Sequence, residues 1–207
     1  LSLDQEHFES KFYLAKILVN EQLYDDAIPI LESLLLMDTN DDLIYVLLGT
    51  CYYNTNNYKG ALEAYRRSIV INPNNPYVYY NLGEIYEKLI KTDQAIENYS
   101  MSHQLHENNH LLTYKLGLLL YENGQYKKAL PYLREYLSFD NENIEVYDIL
   151  GKVLLNLDRH PEAIDIYNKL LEFDSSNISY YKIIGQLYWD LNKLSKAKEY
   201  FKKVLEL

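Results

Sequence analysis

The chain has 207 residues, 48% hydrophobic and 24% charged, enough apolar surface for a folded core and unlike a disordered composition. Its 20 basic against 30 acidic residues leave a net charge of −10, which argues against nucleic acid as a partner because phosphate backbones would be repelled. One cysteine, Cys51, leaves no internal disulfide to form, and no apolar run reaches the roughly 18 residues a membrane span needs.

The chain opens LSLDQEHFES, polar and without a basic flank, so no secretory leader is expected there; the missing initiator methionine suggests a trimmed chain. Cytoplasm is the default expectation. From Ala15 onward one small residue recurs every 34 positions, as Gly49, Gly83, Gly117, Gly151 and Gly185. Ala27, Ala61, Ala95, Ala129, Ala163 and Ala197 form a second series at that interval, and Leu14, Leu48, Leu82, Leu116, Leu150 and Ile184 a third. Three phased series without insertion or deletion divide one array, 1–207, into six units: 8–41, 42–75, 76–109, 110–143, 144–177 and 178–207.

Each unit holds two helical patterns joined by a short polar turn. In the first unit and the fourth, Pro29 and Pro131 fall early in the second helix, where a proline beyond the first turn deletes a hydrogen bond; slight kinks are expected. In the third unit the spacing predicts helices over 77–89 and 93–106. The junctions DTND (38–41), NPNN (72–75), HENN (106–109), DNEN (140–143) and DSSN (174–177) are rich in residues that cap helices and make turns. The final pattern, KLSKAKEYFKKVLEL, alternates lysine with Phe201, Val204 and Leu205, so its outer face is a candidate for self-association. Glycine inside a helix costs roughly 1 kcal/mol relative to alanine. The expected return is closeness: without side-chain bulk where the two helices cross, their backbones approach.

Leucine followed by a small residue, an aromatic three residues on, then alanine and another aromatic, resembles the tetratricopeptide repeat, whose period is also 34. Tyr45, Tyr79, Tyr147 and Tyr181 hold the fourth position of their units; Tyr52, Tyr86 and Tyr188 hold the eleventh. Tyr65, Tyr99, Tyr167 and Phe201 hold the twenty-fourth, and Pro73 is the one late proline. Lys11, Thr113 and Ala15 depart from the pattern, the first unit most. The resemblance covers residues 8–207 and implies an all-α fold, a right-handed α-solenoid superhelix of six stacked antiparallel helix hairpins.

It also implies which residues line the groove formed by the first helices. Carried over position by position, these are Phe12, Tyr13, Tyr53, Tyr77, Tyr80, Asn81, Tyr114, Lys115, Tyr121, Lys152, Lys182 and Trp189. Two readings stand for the aromatics: they fill space between adjacent first helices, or they form a binding wall, since aromatic anchors commonly dominate interface energy. Among the charges, Lys115, Lys152 and Lys182 could make a ladder for an acidic-ended ligand, but Glu122, Glu145, Asp148 and Asp190 are interspersed, and Glu9, Glu84 and Glu87 face Lys16 and Lys88 at the other end.

Family members that grip chaperone tails use a clamp whose positions here hold Val46, Thr50, Asn81, Leu111 and Lys115; the leading lysine–asparagine pair is missing, which counts against that receptor type. His103, His106 and His110 bunch at one junction without a cysteine or carboxylate pattern, so no metal site is expected. No nucleophile motif or phosphate loop suggests an enzyme, and no cofactor is implied. The leading expectation is a scaffold that binds a peptide or helix of a partner protein in the groove. The alternatives are self-assembly through the terminal repeat, giving a homo-oligomer, and a docking region of a larger enzyme.

Overall fold

The computed structural model describes residues 3–37, 40–106 and 109–207. Asp38 and Thr39 of the first junction, and Glu107 and Asn108 of the third, lie outside the described residues. Twelve helices and no strand occur among those described. In order they are α1 (Leu3–Asn20), α2 (Tyr24–Leu35), α3 (Asp42–Asn54), α4 (Tyr58–Ile71), α5 (Pro76–Lys88) and α6 (Thr92–Leu105), then α7 (His110–Glu122), α8 (Tyr126–Phe139), α9 (Ile144–Asn156), α10 (His160–Phe173), α11 (Ile178–Asp190) and α12 (Leu194–Glu206). Each odd-numbered helix packs most extensively on the even one after it, which makes six hairpins with the expected 34-residue period. The chain forms two compact units, Leu1–Glu107 and Asn108–Leu207, each holding three hairpins. The third pair of helices begins and ends one residue earlier than the spacing predicts; Asn75 caps α5, whose first residue is Pro76.

Local chemistry repeats with the same period. Asp41, Asn75, Asn109, Asn143 and Asn177 cap the odd helices from α3 on, each side chain accepting from a backbone N–H of the first turn. Those amides have no partner within the helix, so the cap satisfies a donor that would otherwise be orphaned. At the other end, one residue per hairpin turn has a left-handed backbone: Gln22, Asn56, Ile90, Gly124, Asp158 and Asn192. Such a residue closes the preceding helix. In the third hairpin Lys91 N–H donates to Tyr86 C=O at 2.8 Å and Ile90 N–H to Glu87 C=O at 2.9 Å, satisfying two terminal carbonyls.

The core lies between the two helices of each hairpin and between neighbouring hairpins of a unit. All the alanines of the second series are buried, as are the leucines and Ile184 of the third from Leu48 on; Leu14 is 47% exposed. Among the framework tyrosines the twenty-fourth position is the buried one, with Tyr65, Tyr99 and Tyr167 at 1% exposure or less. Their rings explain the glycines. A Cβ on Gly49 would stand 2.7 Å from the Tyr65 ring, one on Gly83 2.5 Å from Tyr99, and one on Gly151 2.9 Å from Tyr167. The glycine therefore makes room for an aromatic ring from the second helix, rather than for its backbone. Where leucine replaces the aromatic, at Leu133, Gly117 still leaves a gap of only 2.8 Å. Pro29 and Pro131 sit inside α2 and α8, beyond the first turn, and both helices continue past them. None of the described helices is long and apolar enough to cross a membrane.

Candidate partner-binding face

In the unit formed by α1 to α6, the outward side of the odd helices carries the aromatics that the sequence singles out. On α1, Phe12 stacks on Phe8 at 6.4 Å and meets Tyr13 edge-on at 6.0 Å. The Lys16 ammonium lies 5.7 Å from the Phe12 ring centre and 6.0 Å from that of Tyr13. On α3, Tyr53 is half-buried against Tyr58 at 6.0 Å. On α5, Tyr77, Tyr80, Glu84 and Glu87 follow one another at intervals of three, four and three residues and so share one face.

Hydroxyl donors fix the carboxylates of that face. Tyr99, whose ring packs 5.5 Å from Tyr80, donates its O–H to Glu87, and Tyr80 bonds Glu84. Burial raises the Tyr99 phenol far above its ordinary value, and the hydrogen bond to Glu87 raises it further. For Tyr80 and Tyr53 burial again comes first, followed by the negative charge of Glu84. Tyr65 differs. Burial pushes it up to about 12, partly opposed by its hydrogen bonds with Thr50 at 3.1 Å and from Asn81 at 3.1 Å. Asn81, expected in the groove, is thus a brace between α5 and α4.

In the unit formed by α7 to α12 the same side of the odd helices has another character. Tyr114 packs on Tyr136 at 5.1 Å and bonds Glu145 of the next hairpin; Tyr121 packs on Tyr126 at 6.1 Å. Lys152 places its ammonium 2.6 Å from an Asp148 oxygen, and that bond holds its proton more firmly than usual. Tyr180, absent from the sequence-level list, packs 5.8 Å from Tyr167 and lies close to both Asp148 and Lys152. Its third-position placement concealed it, since the carried-over pattern begins at the second position and skips to the fifth. Lys182 is exposed and Trp189 is 58% exposed. The lysines do not form an unopposed ladder, because Asp148 answers Lys152.

The histidine group is dispersed into packing roles: His103 is buried on α6, and His110 stacks on Phe139 at 3.7 Å. Among the described residues no group of three or more His, Cys, Asp or Glu side chains could hold a metal ion. Cys51 is fully buried, and burial pushes its thiol up to about 11.

Stacked helical hairpins with a small residue repeating where the two helices of each hairpin meet define a helical-repeat protein. Three family profiles match the chain, one described as TPR repeat over residues 49–89 and two as tetratricopeptide repeat over 120–187 and 178–207. The chain belongs to the tetratricopeptide repeat family. No curated protein matches it. Among solved structures it resembles YrrB, titled a TPR protein with an unusual peptide-binding site, at 22% identity and a TM-score of 0.61, over 85% of this chain and 91% of that one. It resembles MamA at 26% identity and 0.56, over 80% and 90%. A tetratricopeptide repeat protein from Parabacteroides merdae matches at 19% and 0.62, over 97% and 80%.

Proposed function

We propose that this protein is an interaction scaffold whose odd-helix faces bind a segment of a partner polypeptide. One observation carries the reading: large aromatics stand exposed on those faces where hairpin packing does not require them, with Tyr77 at 70%, Tyr13 at 61% and Trp189 at 58% exposure. Exposed aromatics grouped with polar donors and acceptors mark binding surfaces, because they bury much area at little entropic cost. The likeness to YrrB supports the same reading, since that protein's title names a peptide-binding site. A stacked-hairpin frame is preformed, so the ordering cost on binding falls on the partner.

Affinity capture with the native chain and with a Tyr77→Ala/Tyr80→Ala variant tests this. Partners retained by the native chain and lost by the variant, then reconstituted from purified components, are the expected result. Identical partner sets from both would overturn the assignment of the face. A second reading, self-association through α12, draws support from Leu205 and Leu194, exposed at 86% and 53%. Sedimentation across a concentration series tests it: a Leu205→Glu variant should dissociate any oligomer that the native chain forms.

A further inference from the structure

Interior hairpins show what the first and last ones leave open. On α3 and α9, each of which packs on the second helix of the hairpin before it, Leu48, Cys51, Leu150 and Val153 are buried. Leu14 and Ile17 hold the same two positions on α1, one period before Leu48 and Cys51, and are 47% and 52% exposed. The other side of the contact behaves likewise. Leu137 on α8, which packs on α9, is buried, and Leu171 on α10, which packs on α11, is half-buried. Leu205 holds that position on α12 and is 86% exposed. The α1 and α12 faces are thus the two halves of a contact that the protein already makes internally. Two hydrogen bonds show how those halves meet: Asn81 on α5 donates to Tyr65 on α4 at 3.1 Å, and Arg66 on α4 to Tyr86 on α5 at 2.7 Å. Carried over by the period, the same pairing sets Phe201 against Tyr13 and Lys202 against Leu18. The charges of the two hairpins are opposite as well. Positions 5–35 carry six acids against two lysines, whereas positions 178–206 carry six lysines against three acids.

We propose that α12 of one copy of this chain docks on α1 of a second copy, with Phe201 and Leu205 set on the side of α1 that carries Tyr13, Leu14 and Ile17. The inference rests on the self-association reading and deepens it by naming the surface that α12 meets. Charge complementarity selects α1 over a second α12: the first pairing joins an acidic hairpin to a basic one, and the second sets two lysine-rich hairpins together. The energetics are those of the array itself, where stability comes from interfaces between neighbouring hairpins. Because the two faces differ, the contact is head-to-tail, so a dimer keeps one free face of each kind and can add further copies.

Sedimentation of the 207-residue chain across a concentration series, with two blocked variants, supplies the test. The native chain should grow in mass past the dimer as concentration rises. Leu205→Glu and Ile17→Glu should each be monomeric alone. Mixed in equal amounts they should form a one-to-one dimer and stop, since one variant keeps an intact α1 face and the other an intact α12 face. That rescue also shows that both variants are folded. Lys198→Glu/Lys202→Glu, which removes no apolar side chain, should weaken association of the otherwise native chain about tenfold, as two partly screened charge pairs allow. Association indifferent to this change, dimers of Ile17→Glu alone, or a mixture that stays monomeric would each overturn α1 as the docking surface while leaving self-association through α12 in place. A native chain that stays monomeric throughout, or association that survives Leu205→Glu, would overturn both.

Discussion

Gly83 and Tyr99 share one volume: a Cβ on the glycine would stand 2.5 Å from two carbons of a ring that is itself wholly buried. Gly83→Ala should therefore destabilise the protein by about 1–3 kcal/mol, although alanine is the better helix former by roughly 1 kcal/mol. Urea denaturation measures it. Combined with Tyr99→Leu, the pairing already used at Gly117 and Leu133, the alanine should cost less than it does alone, so the double-mutant cycle should show coupling. Strict additivity would mean that ring and glycine do not compete for space.

Ile90 is a β-branched residue at φ 58° and is 88% exposed, so it bears backbone strain without a packing return. The equivalent turn residues are Gln22, Asn56, Gly124, Asp158 and Asn192. Left-handed backbone costs an ordinary L-residue roughly 1–2 kcal/mol and asparagine less. Ile90→Asn should raise stability by about 1 kcal/mol, seen as a higher denaturation midpoint at unchanged slope. A lower midpoint would show that the isoleucine packs in a way its exposure denies.

Caps should matter at one end of the hairpin and hardly at the other. Asn75 accepts from Tyr77 N–H at 3.1 Å, whereas Lys91, which precedes α6, makes no side-chain cap bond. Asn75→Ala should cost about 1 kcal/mol, and Lys91→Ala within about 0.5 kcal/mol of nothing. Equal losses at both sites would remove the distinction.

Alkali should unfold the protein through its buried phenols. An unfolded tyrosine loses its proton near 10, while Tyr65 in the fold keeps its own until about 12. Below pH 10 both states hold the proton and this contribution is constant. Between 10 and 12 the unfolded state binds fewer protons, so stability falls as pH rises, by on the order of 2 kcal/mol for this residue. Tyr65→Phe should flatten that decline while lowering stability at neutral pH, because Thr50 and Asn81 lose a hydrogen-bond partner. Denaturant midpoints at stepped pH give both. A slope unaltered by the substitution would place the titrating groups elsewhere.

Much of the fold is legible without coordinates because its causes are local. Helix period, cap chemistry and turn residues depend on neighbours a few positions away, and they recur at 34 residues, so each unit corroborates the next. The start of α5 lies one residue earlier than the spacing predicts, where the Asn75 side chain reaches a free amide of the first turn and Pro76 opens the helix. The glycine series was visible as a contact requirement, but its partner was not, because the ring that fills the gap lies on the other helix.

The candidate face was legible only in part. Tyr53, Tyr77 and Tyr80 fall at positions that a repeat register can mark, whereas Tyr180 does not, and its place near Asp148 and Lys152 follows from how α11 packs on α10, where its ring meets Tyr167. Asn81 faces a tyrosine of the preceding hairpin, which no periodicity reveals.

What the amino-acid order determined alone is the repeating hairpin, since hydrogen bonding and hydrophobic spacing act within a few turns of chain. Tertiary packing decided which carboxylates gather beside which phenols, because a helix position defines a direction and only a neighbouring helix supplies the group found there. That second step makes Glu84 and Lys152, one repeat position in two hairpins, an acid clasped by tyrosine on α5 and a base answered by aspartate on α9.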